Sequence, residues 1–315
     1  MDFREHSIQA LVNKVKNKEI SARELTESAL SNIEKYDKEI NAFCALNQED
    51  ALDQAESLDK KISNGENVGL LAGIPVGVKD LEDAKGFITT YGSELHTKDS
   101  PAEEDSILVG RLRSEGCIIL GKTNTPEFGH KGKTDNVPFG ATKNPWNLEY
   151  SPGGSSGGTS AALSSGMIPL GTGSDGGGSI RIPSVLGGLS GIKTSQGRIP
   201  NGGPKPPGSG LLTVKGPMAN TTADTALALD ASVGADPTDI FVRLTSNPFA
   251  SPHYLFSYTE NGDPVTLELI RGNTYVFTRT DSNSDHPFNI GAGWRAADPN
   301  LIISSTGTGN LVGGV

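Results

Sequence analysis

Two glycine-rich stretches, SPGGSSGGTSAAL at 151–163 and GTGSDGGGSIRIP at 171–183, constrain this chain more than anything else in it. Glycine costs about 0.5–1 kcal/mol relative to alanine inside regular structure. A chain that concentrates it in two neighbouring places, each carrying serines, needs a geometric reason for doing so. The second stretch runs straight into the apolar strip Ile180, Ile182, Val185 and Leu186, so it reads as part of a folded body.

Three short patterns overlap these stretches or lie nearby, and none suits its context. Gly116–Thr123, GCIILGKT, matches the phosphate-loop spacing, which requires a strand before it, a loop inside it and a helix after it. Here an apolar strand, CIIL, occupies the loop position, and a strand cannot wrap phosphates with its amides. Gly171–Gly176, GTGSDG, matches a dinucleotide fingerprint, yet no Asp or Glu follows between Gly176 and Ala223 to hold a ribose. Gly153–Gly157, GGSSG, satisfies the nucleophile-elbow pattern. The only downstream histidines, His253 and His286, lie in a separate C-terminal module, so a Ser-His-Asp relay is not expected.

The surrounding pattern predicts three N-terminal helices and then an α/β domain. Ser7 can cap a helix carrying Ile8, Leu11, Val12 and Val15 on one face. Ser21 and Glu24 form a capping-box pair before Leu25, Ala29, Leu30 and Ile33. A third helix is expected from about Asp50 to Asn64-Gly65. Beyond it, LLAGIPVGVK, CIILGKT and MIPLGTG read as strands, with SILVGRLRSEG and GTSAALSSG as helices between them. Near residue 240 the texture changes: no lysine follows Lys215, and period-2 alternation sets in with Val265, Leu267 and Leu269 on one face. A turn is expected at Arg271-Gly272-Asn273, then a strand through Tyr275 and Phe277. The expected organisation is a 1–240 domain and a 250–315 antiparallel β module, joined at 240–250.

Net charge is −10 with no basic run, which argues against a nucleic-acid partner. No apolar run approaches the ~18 residues of a membrane span, and the amino terminus lacks the apolar core of a signal peptide. Two cysteines, Cys44 and Cys117, suit a reducing compartment, so a cytoplasmic location is expected. His96 and His130 lack partners at metal-ligand spacing and read as surface or packing residues.

A hydrolase without histidine must deprotonate a serine by other means. A lysine serves only if it is neutral, which needs burial or a cationic neighbour. Lys79 ends the strand GIPVGVK beside Ile74, Val76 and Val78; by itself it reads more simply as a strand-end lysine reaching solvent. Taken together, GIPVGVKD, ILGKTNTPEFG (119–129), FGATKNPWN (139–147), SPGGSSGGTSAAL and GSDGGGSIRIPS resemble the amidase signature family, the Ser–cis-Ser–Lys amide hydrolases, over residues 5–240.

The resemblance implies an α/β amidase-signature fold, a mixed sheet flanked by helices. It implies Ser179 as nucleophile, Ser155 as a bridging serine after a cis peptide bond, and Lys79 as terminal base, joined by two short hydrogen bonds. The main-chain amides of Gly176, Gly177 and Gly178 would converge on the oxyanion, with the first turn of SIRIPSVLG adding a further donor. Ser156 would contribute hydrogen bonding, and Asp175 with Arg181 a supporting ion pair. No metal or organic cofactor is implied. The substrate would be a small-molecule amide, and a homodimer is compatible with the sequence. The stretch TNTPEFGHKGKTDNVPFG points to general amidases; the alternative is the A-type component of a tRNA-dependent amidotransferase, which would hydrolyse the glutamine amide as ammonia donor and require partner subunits. A further alternative is an inactive fusion of an amidase fragment to a β binding module.

Family members continue the α/β domain beyond residue 240, so the change of texture there predicts a truncated amidase domain, the join of two unrelated genes included. The tail DPVTLELIRGNTYVFTRTDSNSDHPFNI resembles a cupredoxin-like β module. With His253 and His286 but no Cys or Met, it is not expected to bind copper.

Overall fold

The computed structural model describes residues 1–195, 197–200 and 213–234, together with the backbone of five short strands between 243 and 314. The chain divides into two compact units, Met1–Asn201 with Pro207–Gly234, and Gly202–Pro206 with Ala235–Val315.

In the first unit the helical entry follows from caps and apolar spacing. Helix α1 (Ile8–Lys16) starts where Ser7 Oγ accepts from the Ala10 N–H at 3.2 Å, and it buries Ile8, Leu11, Val12 and Val15. Helix α2 (Ala22–Ile40) opens with the full Ser21–Glu24 capping box and closes at Asn41, whose φ is 59°. Strand β1 (Phe43–Leu46) and helix α3 (Gln48–Ser63, capped by Asn47) follow. The first amides of α2, at Ala22 and Arg23, donate to the Asp59 carboxylate on α3, which clamps the two helices together.

The remaining elements of this unit are β2 (Pro75–Lys79), α4 (Ile107–Ser114), β3 (Ile118–Thr123), the small hairpin β4 (Asp135–Asn136) and β5 (Gly140–Ala141), α5 (Gly157–Ser164), β6 (Leu170–Asp175), α6 (Arg181–Gly187), β7 (Ser190–Gly191), β8 (Val214–Ala219) and α7 (Thr222–Asp230). Six strands form a mixed sheet in the order β1-β3-β2-β6-β8-β7. The central β3-β2-β6 pairings are parallel, whereas β1, β8 and β7 pair antiparallel. Strands β2, β3 and β6 are buried at every residue, as parallel strands are when both faces are covered. The α/β expectation is met, in the mixed form the resemblance implied.

Two details differ from the sequence reading, and one agrees with it. The strand predicted across LLAGIPVGVK is confined to Pro75–Lys79, because Leu71 and Gly73 turn to donate to the Glu115 and Gly116 carbonyls. The phosphate-loop match lies on β3 and is buried, as a strand should be. The returning strands β7 and β8, which add two antiparallel pairings to the sheet, carry no strong alternation and are not expected from the pattern.

The topology sets up the site. Lys79 ends β2 and Asp175 ends β6, and these strands run parallel side by side, so both residues emerge at one carboxyl edge of the sheet. Open α/β sheets place their ligands at such an edge. Helix α5 begins against the same edge. A Cβ on Gly158 would lie 2.3 Å from the Asn124 nitrogen, so glycine is what lets the helix start approach the end of β3.

In the second unit, β9 (Arg243–Leu244) pairs antiparallel with β10 (Tyr254–Leu255). Strands β11 (Thr274–Phe277), β12 (Ile302–Thr306) and β13 (Asn310–Gly314) form an antiparallel sheet in the order β11-β13-β12. The alternation at Val265–Leu269, the turn at 271–273, and His253 and His286 lie outside the described residues. So do most of the 240–250 join and, with most of 250–315, the cupredoxin-like reading.

Candidate active site

Lys79 does not reach solvent. Its side chain is 0% exposed, and its Nζ lies within hydrogen-bonding distance of three hydroxyls: Ser155 Oγ at 2.7 Å, Ser156 Oγ at 2.9 Å and Ser174 Oγ at 3.0 Å. Burial pushes its pKa from 10.5 down to about 7, against the opposing pull of Glu82 and Asp175. Both carboxylates already have cationic partners, Lys215 at 2.8 Å for Glu82 and Arg181 at 2.9 Å for Asp175. Desolvation therefore prevails, and the ammonium loses its usual advantage.

Ser155 is 1% exposed and follows a cis Gly154-Ser155 peptide bond, as the resemblance implied. Its carbonyl accepts from Thr125 Oγ1 at 2.9 Å. The Ser156 N–H donates to the Ser179 carbonyl at 3.2 Å, which ties the two serine-bearing loops together through the main chain. Ser179 is partly exposed, and among the described residues its hydroxyl makes no hydrogen bond. The expected relay of two consecutive hydrogen bonds is thus present as one, Lys79 to Ser155. Catalytic hydrogen bonds are often open in unliganded sites and close on binding.

Asp175 organises the glycine loop. Its carboxylate accepts from the N–H groups of Gly178 (2.7 Å), Ile180 (3.2 Å) and Arg181 (3.3 Å), and from the Arg181 guanidinium at 2.9 and 3.0 Å. Burial alone would raise its pKa, but these donors outweigh it and hold the carboxyl far below the ordinary carboxylate range. Two expectations are corrected here. The Gly178 amide faces Asp175, so it does not join an oxyanion hole. The first-turn amides of α6 are directed to the same carboxylate, or to the Gly178 carbonyl in the case of Ile182. Gly176 and Gly177 are exposed, and among the described residues the N–H groups of Gly177 and Ser179 meet no acceptor. Gly178 must be glycine for another reason: its φ is 122°, and a Cβ there would lie 2.8 Å from Ile182 Cδ1.

Ser174 is not among the residues expected at the site, yet its signal was in the sequence. Thr172 and Ser174 are hydroxyls two apart at the end of the expected strand MIPLGTG and just past it, and on β6 they share one face. That face meets Lys79 twice, Thr172 Oγ1 accepting the Lys79 main-chain N–H at 2.9 Å. Lys122 and Asp80 form a second buried ion pair, 3.0 Å apart, supported by Thr89 and Thr90. His96 bonds Asp99 at 2.8 Å and meets Tyr91 and Phe128 edge-on, and His130 is exposed. No cluster of three or more metal-ligating side chains occurs among the described residues, and no described helix is long and apolar enough to cross a membrane.

A family model described as Amidase matches residues 24–257. The chain belongs to the amidase signature family. It is 41% identical to the A-type subunit of the glutamyl-tRNA(Gln) amidotransferase of Nostoc punctiforme, over 82% of this chain and 52% of the relative. It is 37% identical to the corresponding subunit of Clostridium botulinum, over 83% and 53%. Among solved structures, it is 38% identical to a bacterial aryl acylamidase of the amidase signature enzymes, with a TM-score of 0.70 over 73% of this chain and 48% of that one. A peptide amidase bound to the competitive inhibitor chymostatin also superposes with a TM-score of 0.70, at 30% identity over 75% and 49%. The chain spans about half the length of the curated relatives it matches. The curated relatives are amidotransferase A-type subunits, whereas TNTPEFGHKGKTDNVPFG pointed to general amidases.

Proposed function

We propose that this chain cleaves a carboxylic amide through an acyl-enzyme on Ser179, with Lys79 and Ser155 carrying the proton. The supporting observation is the buried Lys79 amine 2.7 Å from Ser155 Oγ, with a pKa near 7. An amine that is neutral at working pH can accept the Ser155 proton, and Ser155 in turn accepts the proton of Ser179 as Ser179 Oγ attacks the carbonyl carbon. The oxyanion falls to the amides of Gly177 and Ser179, with Gly176 alongside; each donor of this kind contributes about 2.7–4 kcal/mol. As the C–N bond breaks, the relay runs in reverse and Ser155 delivers a proton to the departing nitrogen. Water, deprotonated along the same path, then attacks the ester and returns Ser179 to its hydroxyl form.

Within that chemistry the relatives, A-type subunits of glutamyl-tRNA(Gln) amidotransferases, support partner subunits as the context, and on that reading the amide would be glutamine and the product ammonia. The test is ammonia release from glutamine, alone and with amidotransferase partner subunits added, beside a panel of primary and aryl amides. Strong stimulation by the partners supports the amidotransferase reading, and partner-independent turnover of aryl or peptide amides supports a free-standing amidase. A serine-directed fluorophosphonate that fails to label Ser179 in the folded chain overturns both.

A further inference from the structure

A neutral primary amine has two N–H donors and one lone pair, yet Lys79 Nζ meets three hydroxyl oxygens. Only two of those contacts can therefore be donated by the amine; the third must be donated to it. Ser155 is the closest of the three and is the serine that the proposed relay would join to Ser179. Ser156 Oγ already accepts from the Ser174 N–H at 3.4 Å, which marks it as an acceptor. Ser174 is the penultimate residue of β6, on the strand that leads into the nucleophile loop, and is buried. We infer that Ser174 is a positioning residue which, with Ser156, takes the two amine hydrogens and so aims the Lys79 lone pair at the Ser155 hydroxyl.

This inference rests on the proposed relay and adds to it a reason for the third serine. The same geometry makes Ser174 a regulator of basicity. A hydroxyl oxygen accepting from Nζ stabilises the ammonium more than the amine, so it holds the pKa up against desolvation. The other charges bearing on Lys79 are Glu82 with Lys215, Asp175 with Arg181 and Lys193, and the neighbouring Asp80 with Lys122. All of these remain in place when Ser174 is changed.

The experiment reads Lys79 directly. Lysine Cε NMR of the purified chain, with the signal assigned by its loss in Lys79→Met, gives the titration midpoint without any need for substrate. Ser174→Ala lowers the midpoint by about one pH unit, a tenfold change in proton affinity. Ser174→Cys, nearly isosteric but a weak acceptor, lowers it in the same direction, and Ser174→Thr restores it. In parallel, the plateau rate of fluorophosphonate labelling falls about tenfold in Ser174→Ala and recovers in Ser174→Thr. An unchanged or raised midpoint in folded Ser174→Cys overturns the inference. Loss of labelling in Ser179→Ala together with that unchanged midpoint would leave the relay standing without it, whereas labelling that survives Ser179→Ala would remove the relay itself.

Discussion

At the scale of single residues, the decisive feature is a lysine taken out of water. An ordinary lysine is protonated near neutrality, whereas desolvation brings Lys79 to about 7. The labelling rate of Ser179 is therefore expected to rise with pH through about 7 and level off above it, and Lys79→Met should remove that limb along with nearly all the activity. A stability consequence follows with a definite sign. Between about pH 7 and 10.5 the unfolded chain binds a proton at Lys79 that the folded chain lacks, so this residue makes stability increase with pH across that window. Below it, the full penalty of burying the amine is present. The melting-temperature advantage of Lys79→Met over wild type should be largest at pH 6 and shrink by pH 9. An advantage that grows with pH would contradict the burial account. Ser179→Ala should abolish acylation while Ser155→Ala leaves a trace of it, as read by mass spectrometry of the labelled protein.

At the scale of elements, the β6–α6 loop is held by one carboxylate. Asp175→Ala leaves the buried Gly178 and Ile180 amides without their acceptor, at about 1–3 kcal/mol for each unsatisfied group. Because Arg181 is half-exposed, its ion pair adds little to that figure. The expected outcome is a loss on the order of 3 kcal/mol in urea unfolding, and slower labelling even where the variant remains folded. Gly178→Ala attacks the same loop from the backbone, since φ of 122° and the 2.8 Å approach to Ile182 tolerate no Cβ. It should lower both stability and labelling, and a variant as stable as wild type would show that the loop relaxes. Element by element, the helical entry was fully legible: Ser7, Ser21 with Glu24, and the apolar spacing behind them act through neighbours three or four residues away. β7 and β8 were not legible, since their short antiparallel pairing is decided by what β6 offers them.

At the scale of the whole first unit, the chain closes on itself through Asp224. Its Oδ1 accepts the Ile8 N–H at 2.7 Å while its own N–H bonds Thr221 Oγ1 at 3.1 Å, so one buried side chain joins the starts of α1 and α7 across 216 residues. Asp224→Ala should cost about 1–3 kcal/mol in the thermal or urea transition. No loss at all would show that the amino-terminal helix is held by its apolar face alone.

The sequence by itself determined the helix caps, the buried strands and the glycine loops, because each is written in local spacing, and its resemblance to the family singled out Lys79, Ser155 and Ser179 as candidates. Only the tertiary structure decided that β2 and β6 lie side by side, and hence that Ser174 shares Lys79 with Ser155 and Ser156. It also decided that Gly178 serves Asp175 rather than an oxyanion. Hydrogen-bond donors and acceptors are counted in space, and a motif names the groups without saying which partner takes each proton.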